Sequence, residues 1–322
     1  MAQFDLLDRK LVYSLDFHAR MPLSILAKKL HISKQVVKYR IENLEKRSII
    51  TGFYADVNPS RLGYAIYLIY LKFAGITPEI EKEFVAHITK QDSVGMSASI
   101  NGTWDFSFGI WATSVIQFKN IYRNIMDNYE KYVKSKNIMI ETDFYYFKPK
   151  QILEEISEEQ IEMSEEQQNM RLDNTDNSIL RTLSQNSRTT LIEMAQKTGL
   201  TANAIKDRIK KLEKNKIILA YRVFINYQQL GYLHYRIFLH LTNITEEKEK
   251  KIIHYLKYQK ETISATKTIG YCEIEFRAIV KNINEFYALM TKIRNQFIEI
   301  TEYESIIYHK FYKTLNYYPF KK

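Results

Sequence analysis

Two short stretches of the chain carry polar side chains whose types and spacing suit the recognition of DNA bases. In the first stretch, the candidate side chains after Ser33 are Lys34, Gln35, Lys38 and Tyr39. In the second stretch, the candidate side chains after Thr201 are Ala202, Asn203, Lys206 and Asp207. Lysine can pair with guanine, glutamine and asparagine suit adenine, and aspartate accepts from cytosine but repels phosphate. We therefore expect the two stretches to prefer different base sequences.

These side chains can act together only if a helix presents them on one face. Val37, Ile41 and Leu44 recur at helical spacing, and the second stretch repeats this pattern with Ile205, Ile209 and Leu212. Ser33 and Thr201 stand where an N-cap residue is expected. A shorter helix over 23–30 and a turn over 31–33 precede the first of these helices. This order predicts a helix-turn-helix whose last helix enters the major groove, and the alternative is a three-helix module that only packs.

The chain contains an internal repeat. When Asp8 is aligned with Asp176, the two copies run without a gap to Tyr64 and Tyr232, and most apolar core positions are kept. Five basic positions in or before the third helix are also kept, and they include Lys38 with Lys206 and Arg40 with Arg208. We expect Arg40 and Arg208 to steady each module or to contact phosphate. Lys28 and Lys29, on the preceding helix, are candidates for phosphate contact.

Composition favours a polyanionic partner. The 322 residues include 47 Lys and Arg against 37 Asp and Glu, which leaves a net charge of +10. The same composition can also reflect an AT-rich genome. The single cysteine, Cys272, cannot form an intrachain disulfide, and no secretory or long apolar segment is evident. These features predict a cytoplasmic protein without a membrane partner.

The sequence carries no recognisable catalytic motif. It lacks the HExxH, GxSxG, GxGxxG and phosphate-loop patterns. Its 7 histidines and one cysteine are scattered without metal-ligand spacing. We therefore expect no enzyme activity, no cofactor and no metal.

After each helix-turn-helix the apolar period changes to that of strands. Residues 52–58 are typical of a wing or a linking strand. A strand over 65–74, a helix over 79–89, strands over 94–100 and 105–112, a helix over 115–133 and a strand over 138–147 follow. The second copy repeats this order over 233–311. The order is that of a βαββαβ ferredoxin-like domain, so the predicted fold class is α+β.

The segment between the copies differs in charge. Most charged residues over 150–171 are glutamates, which avoid phosphate, whereas both helix-turn-helix regions are basic. Ile152, Ile156 and Ile161 have roughly helical spacing, which predicts a packed and largely helical connector. The alternative is a solvated tether.

These features together resemble the Lrp/AsnC family. The resemblance rests on the helix-turn-helix with its terminal Ile-Ile, on the Leu-Gly-Tyr that ends the link, and on the Gly-x-x-Asp of Gly102 and Asp105, and it covers both copies. It implies a prokaryotic transcriptional regulator that binds double-stranded DNA and whose ferredoxin-like (RAM) domains pair through their sheets. The two copies can then form an intrachain pseudo-dimer, and a homodimer of such chains stays open.

The resemblance also implies a site for a small effector such as an amino acid. It points to the loop between the predicted strands at 94–100 and 105–112, namely to Asn101, Gly102, Thr103 and Asp105. The second copy departs from this pattern, with Gly270 followed by Glu273. The alternative is that both glycines only permit a turn between strands.

Seven segments follow from this interpretation. They are a helix-turn-helix over 1–52, a link strand over 53–64, a ferredoxin-like domain over 65–149, an acidic helical linker over 150–172, a second helix-turn-helix over 173–220, a link strand over 221–232 and a second ferredoxin-like domain over 233–322. Siroheme decarboxylases look like the same architecture, so a related enzyme is one alternative function. An architectural protein that coats DNA is another.

Overall fold

Each copy begins with the predicted helix-turn-helix. A computed structural model describes residues 4–155, 157–163 and 170–314. The helices are α1 (Leu6–Leu15), α2 (Leu23–Leu30) and α3 (Lys34–Lys46) in the first copy, with α7 (Asn174–Gln185), α8 (Leu191–Thr198) and α9 (Ala202–Lys214) in the second. Ser33 Oγ accepts a hydrogen bond from Val36 N at 3.2 Å, and Thr201 Oγ1 accepts one from Ala204 N at 3.2 Å. Both predicted N-caps are therefore confirmed.

The turn that precedes each third helix requires a left-handed residue. His31 has a φ of 54° and Gly199 a φ of 72° at equivalent positions. A residue in the left-handed conformation ends a helix and changes the direction of the chain, so that the next helix begins at a steep angle to the first. The predicted core residues of the third helices are buried beneath this turn, namely Val37, Ile41, Leu44, Ile205, Ile209 and Leu212.

The strands that leave the two modules pair with each other. Strands β1 (Ile50–Val57) and β7 (Ile218–Ile225) form an antiparallel two-stranded sheet, which we call the connecting ribbon. The predicted link strands at 53–64 and 221–232 therefore start earlier than expected. Each of these two strands forms its backbone hydrogen bonds with the strand of the other copy, and not within a wing hairpin of its own module. The connecting ribbon consequently joins the two helix-turn-helix modules.

Each ferredoxin-like domain has the predicted element order. The first contains β2 (Ala65–Phe73), α4 (Pro78–Thr89), β3 (Val94–Gly102), β4 (Phe106–Ala112), α5 (Val115–Met126) and β5 (Val133–Phe147). The second contains β8 (Leu233–Leu241), α10 (Glu246–Tyr258), β9 (Thr262–Ile269), β10 (Ile274–Val280), α11 (Ile283–Gln296) and β11 (Ile300–Lys313). The helix predicted over 115–133 ends earlier, because Val133 already pairs with Phe73 as β5 begins.

The two domains join along their strand edges. Strand β3 pairs with β11, and β5 pairs with β9, both in antiparallel fashion. Since β5 also pairs with β2, the eight strands close into a ring in the order β2-β4-β3-β11-β8-β10-β9-β5. Edge pairing satisfies backbone groups that two separate domains would leave exposed.

The linker is not the helix that its isoleucines predicted. Helix α6 spans only Lys150–Leu153, and β6 (Gln160–Met163) instead pairs with the free end of β5. Ile161 is buried by that pairing, whereas Ile156 lies outside the described residues. An open strand edge satisfies the backbone of this segment, so the helical pattern was misleading.

A charged network lies inside the ring of strands. Arg236 Nη2 lies 2.8 Å from Glu275 Oε1, and the same guanidinium donates to the hydroxyl of Tyr70. Glu141 lies farther away, at 3.8 Å from Arg236 Nη2, and neither of its oxygens has a hydrogen-bond partner among the described residues. Burial and the nearby Glu275 raise the pKa of Glu141 to about 8. The Glu141 carboxyl therefore keeps its proton to a higher pH in the native state than in the unfolded state.

This protonated carboxyl makes stability depend on pH. Between its ordinary pKa of 4.5 and the native value of about 8, the native state holds a proton that the unfolded state has released. Its contribution to the free energy of unfolding therefore falls as pH rises through this window. We expect Glu141→Gln to gain stability relative to the unmodified protein as pH is raised from about 5 to about 8. Urea titrations at both pH values measure this, and a difference that stays constant with pH would contradict it.

Candidate nucleic-acid interface and effector loop

The outer face of α3 is exposed and basic. Lys34, Gln35, Lys38 and Tyr39 are all exposed, and 69% of Tyr39 is accessible. The four lie on the first turns of the helix, where free backbone NH groups and the helix dipole attract phosphate. Lys28 and Lys29 are likewise exposed, on the last turn of α2. The structure therefore brings the predicted residues of the first copy onto one accessible surface.

The corresponding face of α9 has a different chemistry. Asn203, Lys206 and Asp207 are exposed, whereas Ala202 is half-buried. Asn203 occupies the position of Gln35, and Asp207 that of Tyr39. A carboxylate at this position repels phosphate, so the charge of the second face suits a polyanion less well than that of the first.

The two arginines kept in the third helices are bound to their own modules. Arg40 Nη1 lies 2.7 Å from Asp8 Oδ1 and 2.9 Å from Asp5 Oδ2. In the second copy, Arg208 Nη1 lies 2.8 Å from Asp176 Oδ1 and forms a second ion pair with Asp173. These contacts fix the third helix against the start of the first helix. The geometry favours the steadying role over phosphate contact.

Two other arginines hold the modules against each other. Arg20 Nη1 donates to the backbone oxygens of Ser187 and Thr189, the latter at 3.0 Å. At the equivalent position, Arg188 Nη1 donates to Ala19 O at 3.0 Å. Sequence reasoning assigned these arginines no role, although their identity in both copies was a usable signal. This reciprocal contact sets the relative position of the two third helices.

A buried ion pair attaches the first module to the connecting ribbon. Asp16, at the end of α1, accepts from Arg222 of β7 at 3.0 and 3.1 Å. Both side chains are almost fully buried. The second module has no equivalent pair, because its corresponding residues are Ser184 and Tyr54. The two modules are therefore held to the ribbon by different chemistry.

The predicted effector loop is shaped by internal contacts. Asp105 Oδ2 accepts from Phe73 N at 2.9 Å, and its Oδ1 lies 2.7 Å from Lys72 Nζ. Asn101 and Thr103 are exposed next to it. Asp105 thus already has two partners within its own domain, which leaves it fewer sites for a ligand than the family resemblance implied.

The glycines of this loop mark close contacts between the two copies. Gly102 has a φ of 134°, and a β-carbon on it would lie 2.7 Å from Ser305 O. Gly270 has a φ of 122°, and a β-carbon there would lie 2.8 Å from Ile138 O. In the second copy, Glu273 Oε2 accepts from Leu241 N at 2.7 Å, as Asp105 does from Phe73. Both glycines therefore permit pairing between domains in addition to a turn.

No group of three or more His, Cys, Asp or Glu within 4–155, 157–163 and 170–314 is arranged to hold a metal ion. In the same ranges no helix has the length and apolar character needed to cross a membrane.

The chain matches a known class of DNA-binding protein. A model of the winged helix-turn-helix DNA-binding family matches residues 4–51 and 172–218, one match in each copy. The chain is 32% identical to an HTH-type transcriptional regulator of Pyrococcus furiosus over 129 residues, which are 40% of this chain and 83% of the relative. It is 27% identical over 136 residues to the regulatory protein AsnC of Haemophilus influenzae, across 42% of this chain and 90% of that protein. The chain belongs to the Lrp/AsnC family, as a tandem duplication of the family unit.

A solved structure shares the fold of the whole chain. The crystal structure of the siroheme decarboxylase NirDL superposes with a TM-score of 0.62 and covers 98% of this chain and 96% of that one. Sequence identity between the two is 12%, so this likeness concerns the fold alone.

Proposed function

We propose that the chain is a sequence-specific DNA-binding transcriptional regulator that reads two unlike half-sites with α3 and α9. The observation that carries the proposal is the contrast between two equally placed but chemically different helix faces. Gln35 and Asn203 occupy equivalent exposed positions, as do Tyr39 and Asp207. Base-edge readout depends on such side chains, whereas the buried scaffold beneath them is apolar in both copies.

The geometry of the pair supports recognition by a single chain. Arg20 and Arg188 hold the modules together, and the closed ring of strands joins the domains behind them. One chain thus acts as an intrachain pseudo-dimer, with both recognition helices on one body. Two such chains could assemble further and give an overall two-fold symmetric site. The exposed loop at Asn101 and Thr103 stays a proposed site for a small effector such as an amino acid.

Binding of the purified full-length chain to duplex DNA tests this proposal directly. Affinity should fall with salt, because basic side chains displace counterions from phosphate. A sequence-specific regulator should also bind its preferred duplex at least about a thousandfold more tightly than random duplex. Binding that falls with salt but ignores sequence would instead favour an architectural protein.

Substitution of the two equivalent amides should separate the half-sites. We expect Gln35→Ala to relax base preference in one half-site and Asn203→Ala in the other, each at a cost of about 1–3 kcal/mol. Lys28→Ala should instead weaken binding to all sequences and make the salt dependence less steep. Lys250→Ala, on the exposed face of α10, is the control. The proposal fails if both amide variants relax the same half-site.

A second candidate function is catalysis of the siroheme-decarboxylase type. The shared fold over nearly the whole chain leaves this candidate open. Incubation of the purified chain with siroheme, followed by mass spectrometry for loss of carbon dioxide, tests this candidate. Decarboxylated product would support it, and unchanged siroheme would remove it.

A further inference from the structure

A cavity of about 550 Å³ lies between the connecting ribbon and the second ferredoxin-like domain. Residues of β1 and β7 form one side, and residues of β8, β10 and β11 form most of the other. Met96 of β3 and Tyr146 of β5 add two side chains from the first ferredoxin-like domain. Aromatic rings make up much of the wall, including Tyr54, Tyr146, Tyr227, Tyr308 and Phe311. A cavity of this size and character accommodates a small organic molecule with a flat apolar body.

The charges of the wall are of one sign. Arg222, Arg236, Arg277 and Lys310 line the cavity, and none of the lining residues that the structure describes is an aspartate or a glutamate. Arg222 and Arg236 are paired with Asp16 and Glu275. The cavity therefore favours an anionic group on its occupant.

Arg277 is the arginine best placed to bind that anion. Its Nε donates to Ser264 Oγ at 2.6 Å, and its guanidinium lies 5.4 Å from the ring centroid of Tyr146. Across the described part of the chain, it forms no ion pair with a carboxylate. These contacts orient the guanidinium while no carboxylate of the described residues pairs with it directly, which leaves its outer NH groups available to a ligand carboxylate.

His234 provides a second polar group in the same wall. Its Nε2 is buried and has no hydrogen-bond partner among the described residues. The residue is 7% exposed, and its ring packs against Tyr308 and Phe311, with centroid separations of 4.8 and 5.9 Å. Burial, together with the charge of Arg277, lowers the pKa of His234 well below its ordinary value. A buried polar nitrogen without a partner is costly, and a ligand in the cavity would satisfy it.

We propose that this cavity binds one small aromatic carboxylate per chain. The carboxylate pairs with Arg277, a polar atom of the ligand satisfies His234 Nε2, and the flat body packs among the tyrosines. The single-site stoichiometry follows from the repeat. The positions equivalent to Arg277 and His234 in the first copy are Gly109 and Ile66, so only the second copy can supply this site.

The position of the cavity links occupancy to DNA binding. Strands β1 and β7 lead directly from α3 and α9, and both border the cavity. A ligand that contacts the ribbon and the second ferredoxin-like domain together favours one arrangement of the helix-turn-helix modules. This regulatory step rests on the proposed DNA-binding function, whereas binding of the ligand does not.

The test uses pyrene-1-butyrate and its neutral amide as fluorescent probes of the full-length chain. We expect the carboxylate to bind with one site per chain and at least about tenfold more tightly than the amide. Arg277→Met should remove that preference, and Arg294→Met, which deletes an exposed arginine beside Tyr303, should keep it. Equal binding of the two probes to the unmodified chain, no binding of either, or two sites per chain would overturn the proposal.

A second measurement separates this inference from the proposed function. The affinity for a duplex that the chain binds is determined with and without saturating pyrene-1-butyrate. A change in DNA affinity that Arg277→Met abolishes supports regulation through the cavity. If the chain binds the carboxylate probe selectively but binds no DNA under any condition, the proposed regulatory function is refuted and the proposed ligand site is supported. A DNA affinity that stays the same when the probe saturates the cavity would refute only the coupling between the cavity and DNA binding.

Discussion

Arg236→Met is expected to lower the free energy of unfolding by about 3–5 kcal/mol, because it leaves the paired charge of Glu275 buried alone. Arg236 and Glu275 are each 1% exposed inside the ring of strands, and the Tyr70 hydroxyl loses its donor at the same time. Methionine keeps most of the side-chain volume, so the loss reports charge rather than packing. Urea unfolding at neutral pH, followed by circular dichroism, measures the difference.

The matched control for this variant is Arg294→Met, which removes an arginine from the exposed face of α11. Its effect should stay within about 0.5 kcal/mol, as is usual for surface substitutions. If Arg236→Met is no more destabilising than this control, the buried network does not stabilise the joined domains. The double variant Arg236→Met with Glu275→Gln should recover part of the loss, since it removes the unpaired charge.

Gly102→Ala and Gly270→Ala are each expected to cost at least about 2 kcal/mol, because a strained backbone angle and a backbone clash add together. The φ angles of 134° and 122° are ones that alanine rarely adopts, and a new β-carbon would approach a carbonyl oxygen of the other copy at 2.7 or 2.8 Å. Gly52→Ala is the control, since its β-carbon would meet nothing within 4 Å. Thermal unfolding of the three variants compares them.

The pair of glycine variants also tests the joining of the domains. Gly102 lies opposite Ile306 in the β3–β11 pairing, and Gly270 follows the last strand residue of the β5–β9 pairing. We expect both variants to loosen contacts between the copies, which faster amide exchange along β5 and β11 would report. Losses no greater than that of Gly52→Ala would mean that these glycines serve only local turns.

Local features of the sequence predicted most of the elements. Helix caps at Ser33 and Thr201, apolar spacing in the third helices and the repeat itself lie within short stretches, so their structural consequences can be read directly. The order β-α-β-β-α-β followed from the same kind of pattern. Long-range pairing was not predictable in this way. Neither the pairing of β1 with β7 nor that of β6 with β5 leaves a local signal, because any exposed strand edge can accept a partner.

The same difference between local and long-range features applies to the candidate sites. The exposed faces of α3 and α9 could be predicted, because helical periodicity decides which side chains point outward. The contacts of Asp105 with Phe73 N and with Lys72 could not be predicted, because those partners lie on a different strand. The cavity of Arg277 and His234 was also missed. Its residues are far apart in the sequence and meet only when the ribbon packs on the second ferredoxin-like domain.

Selection of binding sites from a random duplex pool, with the purified full-length chain at near-physiological salt, tests the central claim most directly. We predict enrichment of a motif with two half-sites of different sequence, one read by α3 and the other by α9. Gln35→Ala and Asn203→Ala should then each relax a different half of that motif. Two identical half-sites, or retention of DNA without any enriched motif, would contradict the claim that the two helices read unlike sequences.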